Sequence, residues 1–390
     1  MKWTNRGHQL DHVKSIYGEK TKIYIYGAGI YGADLYHRIN WLGNIDGFID
    51  RNVEKQQNGY LGEQVIAPEK ILQKVDEEHI IIVAMEKKAA EQVMRLLRTA
   101  GYIKAHDCFY IEDFLDFYTY QQYAFFAADK LMISSVCMIP STVCNLKCKD
   151  CLNFSPYFKK HIIHDFTFVK RDIDTLFRWI DYTPMFQVSG GEPLLNKDLG
   201  RTLVYLDENY RNRIESIETV INGSIVPGDE LCRLMKEHRI KVYLDDYREN
   251  VPQLRETYTQ TVEKLEKYGI EWIDNYVPEW FSLDVEHTEH SDMTDLQLEN
   301  YFDNCGSPWN CLENERLYSC NFAHFAAKAG IIEETENDYF DLKDYSEVRK
   351  TELLEFLLKY TTKGYVDFCK KCAGWSEANC NKVKVAEQIE

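Results

Sequence analysis

The strongest pattern in this 390-residue sequence is the stretch CNLKCKDC at residues 144–151. Its cysteines, Cys144, Cys148 and Cys151, are separated by three and then two residues and follow the strand-like run 132–139. A tight loop at a strand end can turn three such thiolates toward one metal cluster. Three thiolates leave one iron of a four-iron cube open to another ligand, whereas a fourth would close it. A structural zinc site is the alternative, although zinc usually takes paired Cys-x2-Cys elements.

A second motif follows the strand-like run 185–188 and has the sequence SGGEP at residues 189–193. Its adjacent glycines, Gly190 and Gly191, let a ligand approach the backbone closely. Glu192 would then present its carboxylate to a cationic amine. Since parallel strands of an α/β sheet or barrel end at one edge, we expect both motifs to meet there.

Together, and in this order, the two motifs resemble those of the radical S-adenosylmethionine (radical SAM) superfamily over roughly residues 131–280. The resemblance implies a [4Fe–4S] cluster on Cys144, Cys148 and Cys151, with S-adenosylmethionine on the fourth iron. It also implies contacts to S-adenosylmethionine from a set of strand-end residues: Ser189, Gly190, Gly191, Glu192, Asn222 and Asp245. Asp150 stands where the family usually has an aromatic or apolar residue that packs on adenine.

Six further cysteines lie in the C-terminal region, at Cys305, Cys311, Cys320, Cys369, Cys372 and Cys380. A zinc site is again the alternative. The spacing of these cysteines, however, resembles that of the SPASM and twitch extensions that carry auxiliary iron–sulfur clusters. Two clusters held only by cysteine need eight thiolates, so six predict one auxiliary cluster. The first choice of ligands is Cys305, Cys320, Cys369 and Cys372, followed by Cys311 and lastly Cys380. The alternative is two clusters, at least one with an open or non-cysteine site.

A glycine-rich turn, YGAGIYG at residues 26–32, lies between the strand-like run 22–26 and the helix-like run 33–39. This context matches the dinucleotide-binding fingerprint, in which Gly27, Gly29 and Gly32 form the turn. Asp50 ends the next strand-like run, where an acidic side chain can reach a ribose hydroxyl. The segment 22–32, together with residues 47–50, also resembles the corresponding part of small nucleotide-binding domains in bacterial sugar-modifying enzymes. The alternative is a Rossmann-like domain that binds nothing.

Alternating strand-like and helix-like runs predict an α/β fold throughout. We expect three parts: an N-terminal Rossmann-like, doubly wound nucleotide-binding domain over residues 1–120, a partial (β/α)6 radical SAM barrel over residues 131–285, and a cysteine-rich auxiliary-cluster domain over residues 300–390.

Composition limits the partners and the compartment. A hydrophobic fraction of 45% excludes whole-chain disorder. The net charge of −17 argues against nucleic acid or an anionic membrane as a partner. The sequence has no membrane-length apolar run and no signal-peptide pattern, so we expect a cytoplasmic protein with reduced thiols. The isolated Cys108, Cys137 and Cys232 are then expected to be core residues.

The resemblance implies that a 5′-deoxyadenosyl radical abstracts hydrogen from a substrate, after an electron arrives from a donor such as flavodoxin or ferredoxin. We expect an oxidoreductase acting on a small sugar- or nucleotide-linked molecule, such as a nucleotide-sugar or glycan, by dehydrogenation, epimerisation or dehydration. A radical SAM enzyme that modifies a peptide is the first alternative. A zinc-stabilised nucleotide-binding protein without radical chemistry is the second. The sequence names no catalytic acid or base.

Overall fold

The computed structural model describes residues 1–18, 20–73, 78–307 and 309–389. It divides into two compact units, one formed by His8–Met132 and the other by Met1–Gly7 together with Ile133–Glu390. Both are mixed α/β structures built on parallel strands. Within the described residues, no helix is long and apolar enough to cross a membrane.

The unit His8–Met132 contains a five-stranded sheet in the order β3-β2-β1-β4-β5, with every neighbouring pair parallel. Its strands are β1 (Lys22–Tyr26), β2 (Ile45–Ile49), β3 (Val65–Ile66), β4 (His79–Val83) and β5 (Cys108–Tyr110). Its helices are α1 (Asp11–Tyr17), α2 (Ile30–Ile39), α3 (Val53–Asn58), α4 (Pro68–Ile71), α5 (Lys87–Ala100), α6 (Ile111–Phe114) and α7 (Phe117–Ala128).

The local sequence explains this sheet and its helical cover. Strand β4 is buried along its whole length, as expected for a strand covered on both faces. Helix α5 buries Ala90, Val93, Met94 and Leu97, which recur at helical spacing and pack on the sheet. It ends at Gly101, whose φ of 112° is a left-handed value that suits glycine.

The second unit contains an eight-stranded sheet in the order β10-β9-β8-β7-β6-β12-β13-β14, and a separate pair of β11 with β15. The strands are β6 (Val136–Met138), β7 (Thr183–Val188), β8 (Ile214–Ile221), β9 (Lys241–Asp245), β10 (Trp272–Asn275), β11 (Trp280–Phe281), β12 (Asn310–Glu313), β13 (Arg316–Tyr318), β14 (Tyr339–Asp341) and β15 (Lys382–Val383). The helices are α8 (Phe166–Trp179), α9 (Leu199–Tyr210), α10 (Asp229–Glu237), α11 (Arg255–Tyr268), α12 (Asp295–Asp303), α13 (Asn321–Lys328) and α14 (Lys350–Leu357).

The parallel part of this sheet takes its sixth strand from outside the segment expected to form the barrel. Strands β6 to β10 come from residues 131–285, and β12 pairs with β6 in parallel, opposite Val136 and Cys137. The cysteine-rich region, expected as a separate domain from residue 300, thus continues the same sheet through β12, β13 and β14.

Two boundaries differ from those expected from the sequence. The first unit extends beyond residue 120 to Met132, because α7 packs into it: the Tyr123 hydroxyl donates to the Lys20 carbonyl at 2.7 Å. Residues 1–7 belong instead to the second unit. The Trp3 indole and the Gly7 amide both donate to the Glu355 carboxylate at 2.7 Å.

A buried carboxylate holds the hairpin between β12 and β13. The two turn residues, Asn314 and Glu315, both have a φ of 56°, the left-handed region that a two-residue hairpin turn requires. Neither residue is glycine, so this backbone needs outside support. Asp172 of α8 supplies it by accepting the Asn314 amide at 2.6 Å and the Glu315 amide at 3.0 Å.

We predict that Asp172→Ala destabilises the second unit by about 1–3 kcal/mol, because two backbone donors lose a buried acceptor. Thermal unfolding should begin at a lower temperature, and hydrogen exchange at the turn should accelerate. Asp172→Asn keeps one acceptor oxygen and should lose less. Unchanged unfolding and exchange in the alanine variant would contradict this role.

Candidate active site

Residues 141–151, which carry Cys144, Cys148 and Cys151, form a loop that we call the cluster loop. Backbone hydrogen bonds hold it against the SGGEP segment, residues 189–193, which we call the glycine motif. The Gly191 amide donates to the Ser141 carbonyl at 2.9 Å, and the Glu192 amide donates to the Val143 carbonyl at 2.8 Å. A Cβ atom on Gly191 would lie 2.4 Å from the Val143 oxygen, and one on Gly190 would lie 2.8 Å from the Ser141 oxygen. Both glycines are therefore required sterically, and they join the ends of β6 and β7.

The three cysteines of the loop come together at this strand end. Burial raises the pKa of Cys144 to about 11 and that of Cys148 to about 12. The nearby thiol of Cys151 contributes to the increase in both pKa values. Backbone N–H groups point at two of the sulfurs: the Leu146 amide lies 3.4 Å from the Cys144 Sγ, and the Asn153 amide donates to Cys151. Such donors favour a thiolate once a metal replaces the proton.

Glu192 is a buried carboxylate that lacks an ion-pair partner among the described residues. One oxygen accepts the Leu194 amide and the other accepts the Asn222 amide, each at 2.9 Å. Burial nevertheless raises the pKa of Glu192 to about 7. A carboxylate in this setting fits a ligand that brings a positive charge.

The remaining strand-end residues surround the same point. Asn222, after β8, donates to Asn145 Oδ1 at 3.2 Å and lies 3.8 Å from the Cys144 sulfur. The carboxylate of Asp245, at the end of β9, accepts the side-chain amide of Asn275 at 2.6 Å and the Tyr247 hydroxyl at 2.7 Å. Burial raises the pKa of Asp245 to about 6.

The backbone of the glycine motif is also tied down on its other side. The Ser189 amide donates to the Met138 carbonyl at 2.9 Å, and Asn153 donates to the Gly190 carbonyl at 2.9 Å. The structure thus brings the sequence-predicted strand-end residues and the three cysteines to one edge of the sheet.

Four C-terminal cysteines line one small, mainly apolar cavity, together with Tyr301, Phe302, Ser307, Ser319, Phe322, Lys359, Val366, Phe368, Gly374 and Trp375. The four are Cys305, Cys320, Cys369 and Cys372. Burial raises the pKa of the Cys320 thiol to about 12, and the pKa of Cys369 is raised by burial and by the charges of the other three.

Two serine hydroxyls beside these cysteines are buried without a hydrogen-bond partner in the described structure. They are Ser307 Oγ and Ser319 Oγ, and both residues line the cavity. A buried hydroxyl without a partner costs about 1–3 kcal/mol. An acceptor inside the cavity, such as a sulfide or a thiolate, would satisfy both groups.

The other two C-terminal cysteines lie elsewhere. Cys311 is in register with Cys137 across the β6–β12 pair, where it is fully buried inside the sheet. Cys380 is exposed, and its Sγ approaches the Ala378 carbonyl. The structure therefore does not place Cys311 or Cys380 with the four cavity cysteines. The isolated Cys108, Cys137 and Cys232 are all buried, as expected of core residues.

Among the described residues, no group of three or more His, Cys, Asp or Glu side chains is arranged to hold a single metal ion. In a four-iron cube each thiolate binds a different iron, so the ligands of a cluster need not converge on one point.

The glycine-rich turn of the first unit is closely packed at two of its three glycines. A Cβ atom on Gly27 would lie 2.5 Å from the Ala84 oxygen, and one on Gly32 would lie 1.9 Å from the Gly27 oxygen. Gly29 has open space around it. Asp50 accepts the Ala28 amide at 2.8 Å and the Asn52 amide at 2.9 Å, so the carboxylate also holds the turn.

Two residues beside the cluster loop were not predicted from the sequence. The Tyr247 side chain is partly buried beside Cys148, and burial, Asp245 and Cys148 raise the pKa of its hydroxyl. Gln388, in the C-terminal tail, donates to the Cys148 sulfur at 3.3 Å. Neither belongs to a recognisable motif. The only available signal for Tyr247 was its position two residues after Asp245.

A three-cysteine loop held against a Gly-Gly-Glu turn at the ends of parallel strands is the arrangement of a radical SAM domain. Residues 138–278 match the model of the Radical SAM superfamily. This part of the chain is therefore a radical SAM domain, which implies S-adenosylmethionine and a [4Fe–4S] cluster as cofactors.

Several solved structures are similar to this chain at low sequence identity. Native anSMEcpe with bound AdoMet is 15% identical over 65% of this chain and 93% of its own, with a TM-score of 0.40. BtrN in complex with AdoMet and 2-DOIA is 16% identical over 66% of this chain and 98% of its own, with a TM-score of 0.40. SuiB of Streptococcus suis is 11% identical over 70% of this chain and 53% of its own, with a TM-score of 0.31. No curated protein compared with the chain matches it.

We predict that S-adenosylmethionine binds more tightly as the pH rises from 6 to 7.5. Glu192 has a pKa of about 7 without a cation, so it is mainly protonated at pH 6 and mainly ionised at pH 7.5. The ionised fraction, and with it the affinity for a cationic amine, should rise about eightfold. Calorimetry of the anaerobically reconstituted protein measures this change.

The control is Glu192→Gln, which keeps the shape of the side chain but cannot titrate. This variant should bind S-adenosylmethionine weakly, and its affinity should change by no more than about twofold over the same range, the change that Asp245 with a pKa of about 6 can contribute. Equal pH dependence in both proteins would assign the effect to another group.

Proposed function

We propose that this protein is a radical SAM oxidoreductase that cleaves S-adenosylmethionine reductively and removes a hydrogen atom from a substrate. The observation that supports this most is the contact between the start of the cluster loop and the glycine motif, in which the Ser141 and Val143 carbonyls accept the Gly191 and Glu192 amides. When bound, the cluster and S-adenosylmethionine would supply a 5′-deoxyadenosyl radical. The protein's own residues bind, orient and shield these groups.

The residues at the strand ends fit these roles. Cys144, Cys148 and Cys151 would hold three irons and leave the fourth open. Glu192 would bind the amino group, because its buried carboxylate needs a positive charge in place of a proton. Asn222 and Asp245 would contact the rest of S-adenosylmethionine, since both lie at neighbouring strand ends. The burial of Asn222 would help keep water from a reactive intermediate.

We propose one auxiliary iron–sulfur cluster, held by Cys305, Cys320, Cys369 and Cys372. The shared cavity, the mainly apolar lining and the hydroxyls of Ser307 and Ser319 support this set. Such a cluster could accept the electron left on the substrate after hydrogen abstraction, which would make the reaction a net oxidation. We leave Cys311 and Cys380 out of the ligand set because neither lines the cavity.

The proposed substrate is a small sugar- or nucleotide-linked molecule, and the proposed electron donor is a flavodoxin or ferredoxin. Two features of the first unit support a nucleotide, either as part of the substrate or as a separate ligand. One is its glycine-rich turn. The other is its strand order, β3-β2-β1-β4-β5, which occurs in dinucleotide-binding folds.

We predict that the reconstituted wild-type protein holds about eight iron and eight sulfide, as two four-iron clusters require. Replacing Cys144, Cys148 and Cys151 by Ala should leave about four iron and abolish 5′-deoxyadenosine formation. Replacing the four cavity cysteines by Ala should also leave about four iron but retain this activity. Iron analysis and chromatography of the products measure both effects.

Cys311→Ala is the matched control, because it removes a buried cysteine outside the cavity and should keep about eight iron. Cleavage that persists without Cys144, Cys148 and Cys151 would refute the proposed radical chemistry. Colourless protein with stoichiometric zinc would favour the zinc alternative.

We predict that the first unit binds a nucleoside diphosphate, tested with ADP and UDP as probes. The proposed contacts are the open backbone at Gly29 and the carboxylate of Asp50, whose oxygens each retain a lone pair for a ribose hydroxyl. Asp50→Ala should weaken binding by about tenfold or more, since a hydrogen bond to a charged group is lost.

Equilibrium dialysis gives the affinities, and iron content is the control because it should not change in the variant. Failure of the wild-type protein to bind either probe would leave the alternative of a turn that is only structural.

A further inference from the structure

The C-terminal tail, residues 382–389, runs along the cluster loop of the radical SAM domain. The Lys149 amide donates to the Glu387 carbonyl at 2.7 Å, and the Ile389 amide donates to the Lys147 carbonyl at 2.8 Å. These bonds pair the tail with the loop in antiparallel fashion on both sides of Cys148. The tail is therefore hydrogen-bonded to the loop that carries the cysteines.

Apolar contacts hold the tail in the same place. Val385 and Ala386 are buried in one cluster with Cys148, Val251 and Leu254. The strand before them, β15, pairs with β11. The tail is therefore held at its start by the pairing of β15 with β11 and in its middle by the burial of Val385 and Ala386.

The side-chain amide of Gln388 has only one orientation that satisfies its neighbours. Its oxygen accepts the Lys147 amide at 2.8 Å, so its nitrogen must face the two acceptors on the other side. These are the Ala386 carbonyl at 2.7 Å and the Cys148 sulfur at 3.3 Å. The amide of Gln388 thus makes three hydrogen bonds, one through its oxygen and two through its nitrogen. One of its N–H groups is directed at the Cys148 sulfur.

We propose that Gln388 is a positioning residue that raises the reduction potential of the radical SAM cluster by donating a hydrogen bond to the Cys148 thiolate. The inference rests on the proposed function, which places the cluster on that sulfur. Reduction adds negative charge to the cluster and its thiolates, so an N–H donor stabilises the reduced form more than the oxidised form. Loss of the donor therefore makes reduction harder.

The test is a redox titration of the full-length, anaerobically reconstituted protein, followed by electron paramagnetic resonance. The variants are Gln388→Leu and Gln388→Met, which cannot donate to sulfur. The radical SAM cluster is identified by the change in its signal on adding S-adenosylmethionine. In both variants its midpoint potential should shift to more negative values.

Two controls separate this effect from loosening of the tail. Ile389→Ala changes the next residue of the tail but keeps the Gln388 amide, and should leave the potential unchanged. The potential of the auxiliary cluster should be the same in all four proteins. Coupling between the reduced cluster and a nitrogen-15 label in glutamine should be detectable in the wild type and absent in both variants.

An unchanged potential, or a shift to more positive values as expected from water entry, would overturn the proposal while leaving the proposed function standing. Wild-type protein without a signal that responds to S-adenosylmethionine would refute the proposed function itself.

Discussion

The close approach of two backbone segments is the constraint on which the candidate active site depends. Residues 141–143 lie against Gly190 and Gly191 at a separation that leaves no room for a side chain. This contact places the cluster loop beside Glu192, whose carboxylate in turn accepts the amide of Asn222. Hydrogen bonds within the protein thereby fix three strand ends to one another, which preorganises the site.

Burial explains why the proposed cysteine ligands would favour a bound metal over a bare thiolate. Thiols such as Cys148 and Cys320 lie in surroundings that strongly oppose a bare thiolate, as their raised pKa values indicate. A bound cluster would supply the compensating positive charge, and its binding would release protons. Cys311 is buried as well, but its neighbour is Cys137 in the sheet rather than a cavity with three other cysteines. Burial alone therefore does not identify a ligand.

The sequence predicts those parts of the site that depend on local spacing. The cysteine loop and the Gly-Gly-Glu turn are each set by a few consecutive residues, and ligand counting favours one auxiliary cluster over two. That Cys311 lies outside the cavity depends on the strand register of β12, which no local pattern gives. The role of Gln388 depends on a contact between residues 240 positions apart. The cysteine-rich region extends the main sheet because β12 pairs with β6. This pairing is also long-range, and the sequence of neither strand indicates it.

The packing of residues 1–7 sets an order of events during synthesis. Trp3 and Gly7 share the carboxylate of Glu355, and the Trp3 amide donates to the Thr361 carbonyl. At about 5–20 residues per second, these partners are made roughly 20–70 s after the first residues. The unit His8–Met132 is complete in sequence long before then. Residues 1–7 must therefore wait for Glu355 and Thr361, whereas the unit His8–Met132 already has all the residues that it needs to fold.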